Sequence, residues 1–404
     1  MAIEVRGIRP EEADDLVRAV STGFGGPINA RDLEIERMVL EPDRAVAARD
    51  GDRFVGGSWV VSSTVSVPGA IVPAAGITGV AVLPTHRRRG ILTSMMRRLL
   101  DDLREREAVS TLWAAEGAIY GRFGYGMATV GAELSIERPY TAFRPGYARS
   151  GDVRLVTREE AHKIVPPIYD RAAGETPGFP GRNEAWSRYR WEIHDFVDDG
   201  FGKEYFFAVH EGADGADGYV VYRIKTDWAG DEMHTLKIEE LVSTTTGAYA
   251  DLWRYLFDVD LVKKVLAPVR QAREPLLHLL DDPNHLKVAL HDGLWVRPVR
   301  VAEALAARRY RTEGRLVLEV ADPFCDWNTG RYELLVGPEG AECAPTDADP
   351  DLEVTAEDLG AVYLGGIPFR DLARAGRIAA SPEILGRADA LFAWDPPPWC
   401  PFVF

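Results

Sequence analysis

Cysteine is scarce in this chain: three residues in 404, Cys325, Cys343 and Cys400, all in the last quarter. Their spacing matches no metal-ligand pattern, and so few thiols build no disulfide framework, so neither a zinc site nor a stapled fold is expected. Long apolar runs are missing as well. No stretch of about 18 apolar residues occurs, and Met1 to Pro10 carries Glu4, Arg6 and Arg9 with no apolar signal core. A soluble, cytoplasmic protein that does not enter a membrane is expected. Positive charge is in deficit: 47 Lys and Arg stand against 63 Asp and Glu, a net charge of −16. That balance argues against nucleic acid as a partner and favours cationic ones, amines among them. The length exceeds what one core organises and suits two or three domains.

Against these absences one run stands out, Val80-Ala81-Val82-Leu83-Pro84-Thr85-His86-Arg87-Arg88-Arg89-Gly90-Ile91-Leu92. Gly76 to Val82 alternates small and β-branched residues, Pro84 and Thr85 end the strand, and Ile91-Leu92, Met95-Met96 and Leu99-Leu100 recur at the i, i+4, i+8 spacing of a buried helix face. A basic turn therefore sits at a helix N-terminus. Unpaired N–H groups, the positive end of the helix dipole and arginine side chains together form a cradle for a pyrophosphate. Gly90 is the lone glycine of the turn, which speaks against a dinucleotide-binding fingerprint.

The spacing Arg87-x-x-Gly90-x-Leu92 resembles the R/Q-x-x-G-x-G/A signature with which general-control-type N-acetyltransferases (the GNAT superfamily) hold acetyl-coenzyme A. Leu92 departs from it at the last position. The resemblance implies cofactor contacts from Val80, Ala81, Val82, Arg87, Arg88, Arg89, Gly90, Ile91 and Leu92.

Around this motif, residues 3 to about 140 read as α/β. Strands are expected near Ile3 to Arg6, at Ala45 to Arg49 and at Ser110 to Ala115, with a helix through Glu11 to Val20 and a hairpin-like pair within Phe54 to Val67. Glu116-Gly117-Ala118-Ile119-Tyr120-Gly121-Arg122-Phe123-Gly124-Tyr125-Gly126 follows as a second motif. Further on, Gly218 to Arg223 and His234 to Val242 read as neighbouring strands, the latter feeding Thr244-Thr245-Thr246-Gly247-Ala248 and a helix through Asp251 to Phe257. This repeats the order of residues 76 to 100 without the arginines, a degenerate copy with a structural role. The tail opens with a helix at Val301 to Tyr310. Strands follow at Gly314 to Val320, Tyr332 to Gly337 and Leu352 to Val354, then helices at Ala356 to Leu364, Phe369 to Ala375 and Pro382 to Phe392. The Pro-rich end, Trp394 to Phe404, forbids helix and has apolar surface to bury, so a docked chain end is expected.

Val80 to Leu92, the Ile-Tyr-Gly-Arg-Phe-Gly-Tyr-Gly core of the second motif and the aromatic last residue Phe404 together resemble the enhanced-intracellular-survival (Eis) family of bacterial acetyltransferases. This resemblance spans the chain and implies an α/β (α+β) fold. It comprises an N-terminal GNAT domain (1–145), a central degenerate GNAT-like domain (146–297) and a C-terminal domain similar to sterol carrier proteins (298–404). It further implies acetyl-CoA as cosubstrate, transfer to an amine such as an aminoglycoside, polyamine or lysine side chain in a ternary complex, and a homo-oligomer, commonly a hexamer. Tyr120 matches the family's general acid, and the free carboxylate of Phe404 its base. A phenol and a thiol have comparable ordinary pKa values, about 10 and 8.5, which suits Tyr120. A terminal carboxylate near 3.5 is a poor base for an ammonium near 10, so Phe404 is read as base or as electrostatic anchor. Tyr125, in the same glycine-flanked loop, is the rival phenol. Phe24, Glu34, Glu36 and Trp59 are candidate pocket residues on position alone. Two other classes of function stand beside this one: a lipid-binding module built on the C-terminal domain, and a silent scaffold that retains acetyl-CoA.

Overall fold

The computed structural model describes residues 3–26, 28–192, 201–202, 204–225 and 234–404. The chain divides into two compact units, residues 1–129 with 293–398 and Phe404, and residues 130–292 with 399–403.

The first unit is built on a seven-stranded sheet. Its strands in chain order are β1 (Glu4–Gly7), β2 (Ala45–Asp50), β3 (Arg53–Val67), β4 (Ala70–Val82), β5 (Val109–Trp113), β6 (Gly126–Met127) and, from much later in the chain, β14 (Leu294–Pro298). They lie in the order β1-β2-β3-β4-β5-β14-β6. Helices α1 (Ala13–Gly23) and α2 (Ala30–Glu36) precede β2, and α3 (Ile91–Arg104) links β4 to β5. The expected periodicity of α3 is realised: Ile91, Met95, Met96, Leu99, Leu100 and Leu103 are buried and pack with Val60, Ala75, Ile77 and Leu112 of the sheet.

The hairpin expected within Phe54 to Val67 is not there. Those residues form the single long strand β3, paired with β4 from Gly56↔Val82 to Val67↔Ala70. The turn is Pro68-Gly69, with Gly69 at φ +65°, a Pro-Gly pair supplying the fixed and the left-handed residue that a tight turn needs.

The second unit carries the other seven-stranded sheet, in the order β13-β7-β12-β11-β10-β9-β8. Its strands are β7 (Val130–Glu137), β8 (Asp152–Val156), β9 (Phe206–Gly212), β10 (Gly215–Lys225), β11 (Thr235–Ser243), β12 (Lys264–Gln271) and β13 (Lys287–Asp292). With them come α4 (Arg158–Glu175), α5 (Glu184–Glu192), α6 (Thr246–Asp258) and α7 (Leu276–Leu279). The neighbouring strands expected at Gly218 and His234 are β10 and β11, antiparallel. Two strands fall on the other side of the boundaries drawn from sequence: β7 is bonded to β12 and β13, and β14 to β5 and β6. Sheet membership is decided by tertiary pairing, which local pattern does not encode.

Residues 301–392 of the first unit add α8 (Val301–Ala307), β15 (Gly314–Ala321), β16 (Gly330–Gly337), β17 (Gly340–Pro345), β18 (Leu352–Thr355), α9 (Ala356–Val362), α10 (Phe369–Arg374) and α11 (Pro382–Phe392). The four strands form a sheet in the order β17-β16-β15-β18. Helix α8 stops short of the expected Tyr310 because Arg308 turns extended (φ −93°, ψ 159°) and buries its guanidinium against the carbonyls of Tyr363 and Phe392, at 2.5 and 2.8 Å. The Pro-rich end is docked, with Trp399, Cys400 and Phe402 buried.

Candidate active site

A cavity of about 750 Å³ opens in the first unit where β4, α3 and the Tyr120 loop meet. Its origin lies in the sheet. β4 and β5 are parallel neighbours only at Ala74↔Val109, Ala75↔Ser110 and Gly76↔Thr111. Beyond Gly76 the strands diverge, β4 staying with β3 and β5 with β14. Among the described residues the edge of β4 from Ile77 to Val82 that faces the gap therefore has no strand against it, which leaves backbone N–H groups there for a ligand, although the Val82 carbonyl is taken by Arg87.

The turn after β4 forms the second wall. Gly90 at φ +78° is the N-cap of α3 and no side chain caps the helix; a Cβ at Gly90 would meet nothing within 4 Å, so glycine serves the left-handed backbone there and not space. Arg88 is also left-handed, at φ 62°. Ile91, Leu92 and Thr93 line the cavity, and as the first residues of α3 their N–H groups lack intrahelical partners, a ready anion site. Arg87 donates through Nη2 to the Gly23 carbonyl (2.9 Å) and through Nε to the Val82 carbonyl (3.2 Å), joining the end of α1 to the end of β4. It is built into the wall, whereas Arg88 and Arg122 bring cationic side chains to the cavity. Val80, Ala81, Val82, Arg87, Arg88, Gly90, Ile91 and Leu92 all line it as expected for a cofactor cradle; Arg89 does not. Leu92, the departure from the signature, turns partly onto the core. The residues present suit a phosphorylated, extended ligand such as coenzyme A: open strand edge, uncapped helix start and flanking guanidinium groups.

The third wall is the segment after β5. Two short 3₁₀ turns, Gly117–Ile119 and Gly121–Phe123, flank Tyr120, which lines the cavity beside Ala115, Glu116 and Ile119. Tyr120 is 6% exposed, and its hydroxyl has no hydrogen-bond partner among the described residues. Burial, aided by the charge of Glu116, pushes this phenol up to about 12, so it stays protonated at neutral pH. The rival Tyr125 is fully buried and pairs its hydroxyl with Ser110 Oγ at 2.7 Å, which in turn donates to the Ala75 carbonyl at 3.0 Å. Its phenol is occupied in the core.

Phe404 does not line the cavity. Its ring packs over Gly76, 3.1 Å from where a Cβ would stand, and so lies at the last paired position before the strands part. Phe24 reaches the cavity and is 59% exposed. Glu34, Glu36 and Trp59 do not line it; Trp59 is in the core. Sequence reasoning missed Gly23, His86, Thr93, Ala115, Glu116, Ile119 and Arg122. No local pattern reveals that the end of α1 meets the basic turn, although Glu116 and Arg122 lay within the second motif. The cysteines stand apart from the cavity, and burial raises the Cys325 thiol to about 11 and that of Cys343 to about 12, leaving both protonated and unreactive at neutral pH.

Family models match the chain along its length: an acetyltransferase (GNAT) domain over residues 4–128, a second over 178–301, and a sterol carrier protein domain over 301–401. An uncharacterized N-acetyltransferase of Streptomyces avermitilis is 38% identical over 417 residues, 100% of both chains. N-acetyltransferase Eis of Mycobacterium tuberculosis is 36% identical over 409 residues, 96% of each. The chain belongs to the Eis family of N-acetyltransferases. The crystal structure of Eis1 from Mycobacterium abscessus superposes on all of this chain with a TM-score of 0.86 and 32% identity. As an Eis-family member the protein is an N-acetyltransferase, with two GNAT domains followed by a sterol-carrier-like domain. Among its described residues no helix is long and apolar enough to cross a membrane.

Proposed function

We propose that the cavity binds acetyl-CoA and that the chain passes the acetyl group directly to the primary amine of a cationic acceptor, an aminoglycoside, polyamine or lysine side chain. The observation that carries this reading is one continuous cavity bounded by the open edge of β4, the uncapped start of α3 and the Tyr120 phenol. Phosphates belong at α3 and Arg88, and the pantetheine arm along β4, whose free N–H groups would polarise the thioester carbonyl. Holding both substrates at once supplies the proximity that a single displacement needs. Direct transfer is favoured over a covalent enzyme intermediate because no cysteine reaches the cavity.

In this reading Tyr120 is the acid. A phenol near 12 yields its proton to a free thiolate near 8.5 only uphill, by about 5 kcal/mol. Its contribution is therefore a hydrogen bond to the sulfur as negative charge builds there, with the proton following as the bond to carbon breaks. The carboxylate of Phe404 is base or anchor for the acceptor, set by the ring's seat on Gly76. Glu116 beside Tyr120 and the net charge of −16 favour a cationic acceptor. The quaternary reading is a homo-oligomer, a hexamer as in the family resemblance, in the cytoplasm. Sedimentation equilibrium tests it, and a monomeric mass would end it.

The test of function is thiol release from acetyl-CoA against a panel of aminoglycosides, polyamines and lysine peptides, for the native chain, Tyr120→Phe and a chain lacking Phe404. Activity that collapses in both variants is expected. No release with any amine would turn the reading toward a silent scaffold.

A further inference from the structure

The loop bearing Tyr120 has almost no regular structure to hold it, yet a buried charge pair is aimed at it. Arg297, on β14, has no exposed surface. Its Nη1 donates to the carbonyl of Phe123, and its Nη2 pairs with the Asp322 carboxylate at 2.5 Å. Asp322, just past β15, is 1% exposed and is fixed in turn: its Oδ1 accepts from the Cys325 backbone N–H at 2.9 Å and its Oδ2 from the Asn328 amide at 3.0 Å. Gly124 makes the approach possible. It is left-handed at φ +79°, and a Cβ there would collide with the Arg297 guanidinium.

The restraint at Phe123 passes to Tyr120 in two hydrogen bonds, since the Tyr120 carbonyl accepts from the backbone N–H groups of Phe123 at 3.0 Å and Tyr125 at 3.3 Å. The Phe123 ring is held as well, edge-on to Phe324 with centroids 4.9 Å apart. Arg97 lies 4.0 Å over that second ring. Taking two charges wholly out of water is costly even when they are paired, and an apolar pair of like volume would stabilise the core as well or better. A fixed orientation for a carbonyl is something that apolar packing would not supply.

We propose that the Arg297–Asp322 pair positions Tyr120 for proton donation, so that the sterol-carrier-like region, which contributes Asp322 and Phe324, is part of the acetyl-transfer machinery. The proposal rests on the reading of Tyr120 as the acid. Asp322→Asn keeps the shape but removes the charge that orients the guanidinium, and its single amide oxygen can accept from only one side, the Cys325 N–H or the Arg297 and Asn328 donors. Arg297→Lys, which keeps the charge but cannot reach both partners, serves equally should Asp322→Asn not accumulate as folded protein.

Steady-state kinetics of each variant should show kcat lowered about 10- to 100-fold, the cost of displacing a catalytic group by about an ångström, with KM for acetyl-CoA within about twofold of native. In a Tyr120→Phe background the same substitution should cost nothing further, because the group it positions is gone. An equal loss in both backgrounds, or an unchanged kcat in both pair variants, would overturn the proposal while leaving the role of Tyr120 standing. Full activity in Tyr120→Phe itself would overturn both.

Discussion

The two strand-turn-helix passages of this chain, β4 into α3 and β11 into α6, share a plan and differ in what occupies the turn. Both begin from a strand with a short parallel pairing, β4 with β5 at three positions and β11 with β12 at Thr235↔Lys264, Leu236↔Val265 and Lys237↔Leu266. At α3 the helix start is uncapped and cationic. At α6 Thr245 caps the helix, accepting from the Ala248 N–H at 3.1 Å and donating to Asp217 Oδ2 at 2.7 Å. Thr244 donates its N–H and hydroxyl to the Asp217 carbonyl. Ser150 presses on Gly247, where a Cβ would collide with its hydroxyl.

Behind them Asp217 and Asp251 sandwich His210, at 2.5 and 2.9 Å. The Ala248 N–H and the Thr244 and Thr245 hydroxyls are used within the protein, and the charged side chain at the cap is the Asp217 carboxylate, of the wrong sign for a phosphate. A strand, a turn and a helix therefore do not make a phosphate site. An unused helix start with positive side chains does.

The largest effect is expected from the phenols: Tyr120→Phe should lower kcat by about 10²- to 10⁴-fold. Tyr147→Phe, in the second unit, should leave kcat at the native value, because that hydroxyl donates to Asp251 and takes no part in transfer; initial-rate assays decide. Next, Arg88→Glu should raise KM for acetyl-CoA about 10- to 100-fold, by loss of one charge-assisted hydrogen bond and gain of a repulsion, with kcat little changed.

A smaller effect belongs to the filled turn. Thr245→Val should cost about 1 kcal/mol of stability through the lost cap, seen as a lower urea midpoint, with KM for acetyl-CoA untouched. Smallest is an effect of pH. Tyr120 acts in its protonated form and is pushed up to about 12, so ionisation of this group removes activity only as pH rises toward that value. The kcat profile should show no loss attributable to Tyr120 up to about pH 10, where an unperturbed phenol would be half ionised; a limb near 10 that disappears in Tyr120→Phe would contradict the burial that sets the shift.

Much of this site was legible because its signals are local. The apolar period of α3, the stop at Pro84 and the Arg-Gly turn lie within a span of 13 residues plus one helix, and the Tyr120 loop is marked by its glycines. What escaped depends on distant segments. Gly23 joins the cavity through the Arg87 bonds that tie the end of α1 to β4. The sheets that β7 and β14 enter are set by partners more than a hundred residues away in sequence. The hairpin expected within Phe54 to Val67 is overridden by nearly continuous pairing of those residues with β4, whose turn is made just beyond, at Pro68-Gly69. The missed β17, Gly-Ala-Glu-Cys-Ala-Pro, has no β-branched or aromatic residue and forms by pairing with β16. Arg297 is a single basic residue in a short strand, and nothing in its neighbourhood marks it as buried.

The measurement that bears most directly on the contrast between the two turns is calorimetric titration of coenzyme A into the native chain and into Arg88→Glu. One equivalent bound per chain, with affinity reduced about 10- to 100-fold in the variant, is the expected result. A second equivalent, or binding undiminished in Arg88→Glu, would contradict the assignment of the open turn as the cradle and the filled turn as its closed counterpart.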